Sequence, residues 1–540
     1  VADTMKSHFA AAPNASPPIK GSLPFIAAGV PLAFAVLCVA VFRFRFLEKT
    51  FAAYCRWQAI LSLALAAYAA VCYAGYFCDR LYRAGEELGS DAVTRAIGAY
   101  GKAFALVVGV VSALALFVYL YWFVSRFSAV AKRFLRGGDA VERWYLPIAF
   151  IAAAVLIVLL YSRTSVFSGP NIDADNVWDK IDIVYTSDTS SLVEQNVFLN
   201  VGASENDLRQ PFFGVFAAPF ALAASLISKL LFFLPGAYCV LIQLLQAGLL
   251  LFTALMIGRM LTIQGAEKAL FLSAFTFLYP TLLFLLNMEQ YIFSVFWLVL
   301  LVWQFVSANP GDRSDAWVAA AGSTLTSGIL LVLVPKSRRL GAWLKECLLA
   351  AVKFAAVAAL FGRAAMMASS AASMQFLMQF TGEQVPLLGR MQQYAAFVSA
   401  CFVPPAAEVV RYESGVTAYQ LSAVTGWSVP GLVLAAAALA GFLLNRRDSY
   451  ARVCAGWAAF SFVLLCLIGW GTSENGLVLY TLYFSWAFVS LIALLIRRVF
   501  GRRRTVRCAL FAAAAAALLI LNIPGIGELV RFGMQYYPAG

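Results

Sequence analysis

The chain has 540 residues, of which 62% are hydrophobic and only 12% charged, and it carries a formal net charge of +13. That composition excludes a soluble globular enzyme and points to a polytopic membrane protein. His8 is the only histidine, so Ser–His–Asp chemistry and histidine-based metal or proton-relay sites are excluded as well.

Residues 1–21 read as a polar, frayed tail, with Met5 a candidate natural start. Apolar runs of about 20 residues, each enough to cross a bilayer core of roughly 30 Å, then recur to the C-terminal region. They predict an all-α bundle of about 14 transmembrane helices, in one domain over 22–522. The expected spans are 22–42, 58–78, 103–125, 146–162, 211–230, 237–258, 268–286, 290–307, 316–335, 345–362, 428–445, 453–470, 476–496 and 506–522. Residues 523–540 read as a short C-terminal tail.

Basic residues resist translocation, so their distribution orients the bundle. With the N-terminus outside and strict alternation, 23 Lys and Arg lie inside and 16 outside, whereas 6 acidic residues lie inside and 21 outside. Arg259 and Lys268 fall outside in this scheme, and the turn at Glu289 inside. RRVFGRRR at 497–504 reads as an anionic-lipid contact or topology anchor. No basic–aromatic interleaving on a polar domain suggests nucleic acid. All ten cysteines lie in or beside apolar segments with no CxxC, which indicates neither zinc nor a disulfide framework.

Two outer connections exceed 40 residues. The first, 164–210, holds eight of the 27 acidic residues: Asp173, Asp175, Asp179, Asp182, Asp188, Glu194, Glu205 and Asp207. IDIVY at 181–185 reads as extended. The stretch 190–201 reads as a short interfacial helix, with Asp188 or Thr189 able to cap it. The second connection, 363–427, predicts an interfacial or re-entrant helix over 389–402, stopped by Pro404 and Pro405. Alternation places both loops and GTSEN at 471–475 on one side. The expected outcome is one outward-facing cavity bounded by Asp188, Arg209, the 383–413 loop and Glu474.

A carboxylate suits the role of general base toward an acceptor hydroxyl. Arginine matches phosphate oxygens bidentately, which nominates Arg209, Arg390 and Arg411. Asp173 and Asp175 form a DxD-like pair of the kind that holds Mg²⁺ or Ca²⁺; a solvated acidic loop is the preferred reading, and no cofactor is assigned. Glu289 reads as an interfacial turn residue, unless 268–290 is a re-entrant pair broken near Pro280. In that case it lies at membrane depth. Lys353 has no evident partner and reads as a snorkelling side chain. Trp122, Trp144, Tyr145, Trp427, Trp470 and Trp486 read mostly as an aromatic belt.

YTSDTSSLVEQNVFLN at 185–200 and NDLRQPFFGVFAAPF at 206–220 resemble the aspartate-plus-helix element and the following proline turn of the GT-C superfamily of integral-membrane glycosyltransferases. LYPTLLFLLNMEQYIFSVFWLVLLVW at 278–303 is similar to a span pair with a proline and a later glutamate in some members. GTSENGLVLYTLYFSWAF at 471–488 resembles a late span in bacterial members. The chain departs from the family in having three spans before the one that leads into the acidic loop, and in reading RQP rather than HPP at the turn, with no histidine in the loop for a metal site. The resemblance implies inverting transfer of a sugar from a polyprenyl-phosphate donor to a glycan, lipid or protein acceptor. It assigns Asp188 as base and Arg209, or an arginine of 363–427, to the phosphate. Glu194, Glu205, Asp207, Glu289 and Glu474 are further candidates. A bacterial plasma membrane, with surrounding membrane lipids, is the expected setting. A lipid-intermediate flippase or a small-molecule transporter is the alternative; no internal repeat of the kind many transporters carry is evident.

Overall fold

A computed structural model describes residues 55–87, 91–167, 183–185, 189, 192, 198–199, 209–234, 236–307, 314–333, 339–360, 381, 385–413, 415–471 and 477–539. Helices dominate: α1 (Arg56–Glu87), α2 (Asp91–Arg136), α3 (Ala140–Tyr161), α4 (Phe213–Leu230), α5 (Ala237–Met260), α6 (Ala266–Thr276), α7 (Tyr279–Leu286), α8 (Tyr291–Val306) and α9 (Ser314–Ser323). They are followed by α10 (Leu340–Leu360), α11 (Leu387–Ala400), α12 (Val429–Leu444), α13 (Ser449–Ser461), α14 (Leu477–Val499) and α15 (Arg504–Tyr536). Between α11 and α12 sits an antiparallel hairpin of β1 (Ala407–Arg411) and β2 (Thr417–Leu421).

Seven helices among the described residues are long and apolar enough to cross a membrane, or eight if a bent pair counts as one span. This corrects the expectation of fourteen. Residues 22–42 lie outside the described set. The expected span 268–286 is α6 and α7, bent by 62°, with Pro280 in the first turn of α7 where its missing N–H costs nothing. The expected span 316–335 is broken into α9, a 3₁₀ turn (Leu325–Ile329) and a last α-helical turn (Leu330–Leu333). α8 and α12 have 16 residues each, which reaches about 24 Å. The expected span 345–362 falls on α10, whose sequence includes Lys345, Glu346 and Lys353.

The reason for the overcount is physical. Residues 291 to 304 of α8 are all buried inside protein, whereas α3 turns Trp144, Ile148, Ile151, Val155 and Val158 outward. A helix enclosed by protein and one bathed in lipid are both apolar all round, so hydropathy alone does not separate them. The core lies around α5, α8 and α14. There Gly441 of α12 lets the backbones meet: a Cβ on Gly441 would lie 2.1 Å from the Leu491 carbonyl oxygen of α14.

α3 and α5 run antiparallel. Asp139 caps α3 by accepting from the Glu142 N–H at 2.9 Å, and Glu142 binds the Arg259 guanidinium at the end of α5 at 2.9 and 3.0 Å. Lys268 joins the cluster, 2.8 Å from Asp139 and in direct contact with Glu142. Nearby in sequence, Glu267 receives Arg507 of α15 at 2.9 Å. At the other end of the pair, Tyr161 lies beside Cys239. Arg259, Glu267 and Lys268 therefore share an end with Asp139, Glu142 and Arg507, and the strict alternation that separated them fails. The chain leaves α3 and enters α5 at one end, so the α4 segment causes no net change of side.

α15 continues through residues expected to form a tail. Past it, Tyr537 accepts from the Ser165 N–H at 2.9 Å and the Thr164 hydroxyl at 2.6 Å. Its own hydroxyl donates to the Thr417 carbonyl at 2.6 Å. The C-terminal segment thus ties the start of the acidic connection to β2. The β-hairpin was not anticipated, although AEVVR and TAYQL flanking YESG carry strand residues around a turn.

Candidate functional site

The two long connections meet. Tyr419 of β2 donates its N–H to the Ile183 carbonyl and accepts from the Tyr185 N–H, both at 2.7 Å. Val184 is thereby a parallel bridge partner of Tyr419; the extended reading of 181–185 holds at Val184, whereas Ile183 is in a bend and Tyr185 in a turn. Tyr185 sits in the left-handed region at φ 54°, a conformation that costs energy for a bulky residue and persists where surroundings enforce it. Here its hydroxyl meets that of Tyr279 in α7, and its ring packs edge-on to Tyr419. Burial first, then Tyr279, Tyr419 and the charge of Glu528, hold the Tyr185 hydroxyl well above its ordinary pKa.

A second junction surrounds Glu289. α7 ends at Leu286, and Asn287–Gln290 unwind before α8. Buried amides of α5 satisfy the released carbonyls, as any buried polar backbone group requires. Gln243 donates to Phe284 and Leu285 at 2.9 and 2.6 Å, and Gln246 donates to Glu289. Glu289 is 0% exposed, and its carboxylate accepts from the Gln290 N–H at 3.3 Å. The Thr189 hydroxyl is shared between Asn287 Oδ1 and the Met288 carbonyl, each at 3.0 Å. Glu289 therefore adjoins the acidic connection, not the opposite end that alternation assigned to it. The break near Pro280 is present as a 62° bend, but Lys268 lies at one end of the α3–α5 pair and Glu289 toward the other, so α6 and α7 form a broken span and not a re-entrant pair.

Beside this junction lies a cavity of about 280 Å³. Its floor comes from the Arg209–Gln210 turn before α4. Two backbone bonds fix that turn against the end of α9: Leu325 N–H to Arg209 O at 2.8 Å, and Phe212 N–H to Gly322 O at 2.6 Å. A Cβ on Gly322 would lie 2.2 Å from the Phe212 ring, so only glycine permits this approach. Gln290 and Tyr291 form one wall, with Thr324 and Thr326 nearby.

The opposite wall is aromatic: Trp457, Trp470, Tyr480, Tyr483 and Phe484. Hydrogen bonds hold these rings in place. Trp457 Nε1 donates to the Tyr483 carbonyl at 2.7 Å, Trp470 Nε1 to the Tyr480 hydroxyl at 2.9 Å, and the Tyr483 hydroxyl pairs with Thr324 at 2.5 Å. α13 continues as a π-helical turn over Phe462–Leu467, and Trp470 follows it between Gly469 and Gly471, both at positive φ. Thr381 pairs with Trp470 in an isolated bridge, so the second long connection reaches this wall too.

Arg209 is the predicted site residue that lines the cavity. Arg390 donates through Nη1 to the Leu467 carbonyl at 2.8 Å; it braces the π-helical turn and does not line the cavity. Arg411 is exposed on β1 opposite Thr417, away from the cavity. Asp173, Asp175, Asp188, Glu194, Glu205, Asp207 and Glu474 lie outside the described residues. Lys353 does have a partner: it pairs with Asp315 of α9, whose other oxygen accepts from Trp122 Nε1 at 3.1 Å. Trp470 and Trp486 are not belt residues, since one lines the cavity and the other is 0% exposed. Trp144, 72% exposed, fits the belt.

Sequence reasoning missed Gln210, Gln290 and the aromatic wall. The aromatics are spread over 457–484 with no local motif, and only the meeting of α13 with α14 assembles them. No protein family, no curated protein and no solved structure matches the chain.

Proposed function

We propose that the protein is a membrane-embedded transferase that moves a sugar from a polyprenyl-phosphate donor to an acceptor hydroxyl, as the resemblance to the GT-C superfamily implies. The observation that carries this reading is the cavity at the meeting point of the two long connections. It combines one arginine with an aromatic wall, at a place where α7 and α8 are interrupted within the helical bundle. Its volume is near the lower limit of ligand pockets, about 300 Å³, which suits a single sugar ring.

In this mechanism Arg209 holds the donor phosphate through paired N–H···O bonds. The acceptor oxygen attacks the anomeric carbon from the face opposite the phosphate. As the new C–O bond forms, the bond from that carbon to the phosphate oxygen breaks, and the lipid phosphate departs with the electron pair. The acceptor proton passes to a carboxylate, for which Asp188 is the candidate. Asp188 precedes Thr189, which is hydrogen-bonded to the turn that carries Glu289.

The test uses purified protein in nanodiscs with polyprenyl-phosphoryl-mannose and polyprenyl-phosphoryl-glucose as donors, and undecaprenyl phosphate as the binding probe. Arg209→Gln is expected to weaken retention of undecaprenyl phosphate about tenfold. Asp188→Asn is expected to retain the lipid and lose turnover by roughly a hundredfold or more. Full turnover in a folded Asp188→Asn protein would remove the assigned base, and failure of the wild-type protein to bind the lipid phosphate would remove the transferase reading.

One observation favours a second reading. The α6–α7 break and the unwound 287–290 segment are of the kind that transporters use at their binding sites. A lipid-intermediate flippase would bind the same lipid phosphate and move it without forming product, so it is distinguished by lipid retention in the absence of any transfer.

A further inference from the structure

The cavity contains two polar atoms that the fold leaves unsatisfied. Gln210 is 6% exposed and Gln290 2% exposed, both side chains line the cavity, and neither Oε1 has a hydrogen-bond partner. A buried carbonyl oxygen without a donor is destabilising. The Oε1 atoms of Gln243 and Gln246 on α5 are likewise without a partner, but the Nε2 groups of those residues donate to the unwound carbonyls and neither residue lines the cavity. Gln210 and Gln290 come from different segments, yet both present an acceptor to one enclosed space.

We infer that Gln210 and Gln290 are sugar-reading residues: their free Oε1 atoms accept hydrogen bonds from hydroxyl groups of a neutral monosaccharide ring held against the aromatic wall. This deepens the transferase reading, on which it rests for the identity of the donor, by naming the chemical class of the group transferred and two residues that select it. Two acceptors require a ligand with at least two donors. Trp457, Trp470 and Phe484 give the cavity an aromatic, apolar lining, which suits the C–H groups of a pyranose or furanose. A purely apolar ligand of this size would leave both amide oxygens unpaired and would bind correspondingly weakly.

The reading separates binding of the ring from binding of the phosphate, and the experiment exploits this. Methyl glycosides of glucose, mannose, galactose and arabinose, which lack both phosphate and lipid, are titrated into wild-type protein in nanodiscs by saturation-transfer NMR. Cyclohexanemethanol, a ring with one hydroxyl, serves as the comparison. The expected result is saturable binding of at least one glycoside and none of cyclohexanemethanol. Gln210→Met and Gln290→Met, near in size but without the acceptor, are each expected to weaken that glycoside about fivefold while their melting temperatures stay within a few degrees of wild type.

The inference is overturned if no glycoside of the panel binds wild-type protein, or if the two folded variants bind it as wild type does. The wild-type comparison stands even if a variant fails to fold. Loss of the sugar result with undecaprenyl phosphate still retained would sink this inference alone. Loss of undecaprenyl phosphate binding with glycosides still bound would sink the transferase reading alone.

Discussion

Tyr185 and Tyr419 exchange backbone contacts across 234 positions of sequence: Tyr185 donates its N–H to the Tyr419 carbonyl at 2.7 Å, and the Tyr419 N–H returns to Ile183 at the same distance. The first long connection therefore joins β2 of the second through an isolated parallel bridge at Val184. Whatever lies between them is framed by a pairing that the membrane helices alone do not provide.

That pairing predicts a cross-link. Bridged strands lie about 4.8 Å apart, within the range a disulfide spans, and paired residues project to the same face. Val184→Cys with Tyr419→Cys is expected to form a disulfide in oxidised membranes, read as a mobility shift on a non-reducing gel after cleavage between the two positions. Absence of the cross-link, with each single cysteine labelled normally, would show that the two connections do not meet.

The Asp315–Lys353 pair makes a different prediction. Both groups are substantially removed from solvent, and removing one partner strands the other. Asp315→Leu alone is expected to cost about 1–3 kcal/mol, because the Lys353 ammonium loses this counter-charge and Trp122 Nε1 loses its acceptor. The double change Asp315→Leu with Lys353→Leu is expected to recover most of that loss. Thermal denaturation of the purified variants measures both; an additive double variant would mean that the pair contributes nothing.

Asp139 supplies a pH dependence. Burial works to raise its carboxyl, but hydrogen bonds from Lys268 and the Glu142 N–H, with the charges of Lys268 and Arg259, outweigh this and hold it below the ordinary aspartate value. A depressed folded-state pKa stabilises at pH above the unfolded value, and that contribution fades as pH falls through the folded one. Wild-type stability is therefore expected to decline on acidification below the ordinary aspartate pKa, and Asp139→Asn to show a shallower decline. Melting temperatures between about pH 2 and 6 measure the difference; parallel curves would exclude Asp139 as a contributor.

How much was legible in the sequence follows from what each segment had to say locally. The helical membrane character and, within IDIVY, the bridging Val184 were readable, and so was the helix ahead of Pro404: 389–402 against an observed Leu387–Ala400. Arg209 was found because a charged residue at the edge of an apolar run stands out. Span number was not readable, because α8 is apolar for reasons of protein packing and α3 for reasons of lipid contact. Sidedness failed with it: counting one net crossing between α3 and α5 inverted the assignments of Arg259, Lys268 and Glu289 together. Gln210 and Gln290 gave no signal at all, since a lone glutamine next to a helix acquires meaning only from the partners it lacks.

The π-helical turn at Phe462–Leu467 has an arithmetic consequence. Such a turn accommodates one more residue than a regular helix of the same rise, and each residue of a regular helix rotates the chain by about 100°. Trp470, three residues beyond that turn, meets Tyr480 and Thr381. Deleting one position between 462 and 467 would regularise the helix and swing the indole roughly a quarter-turn aside, opening the aromatic wall without touching any residue that forms it.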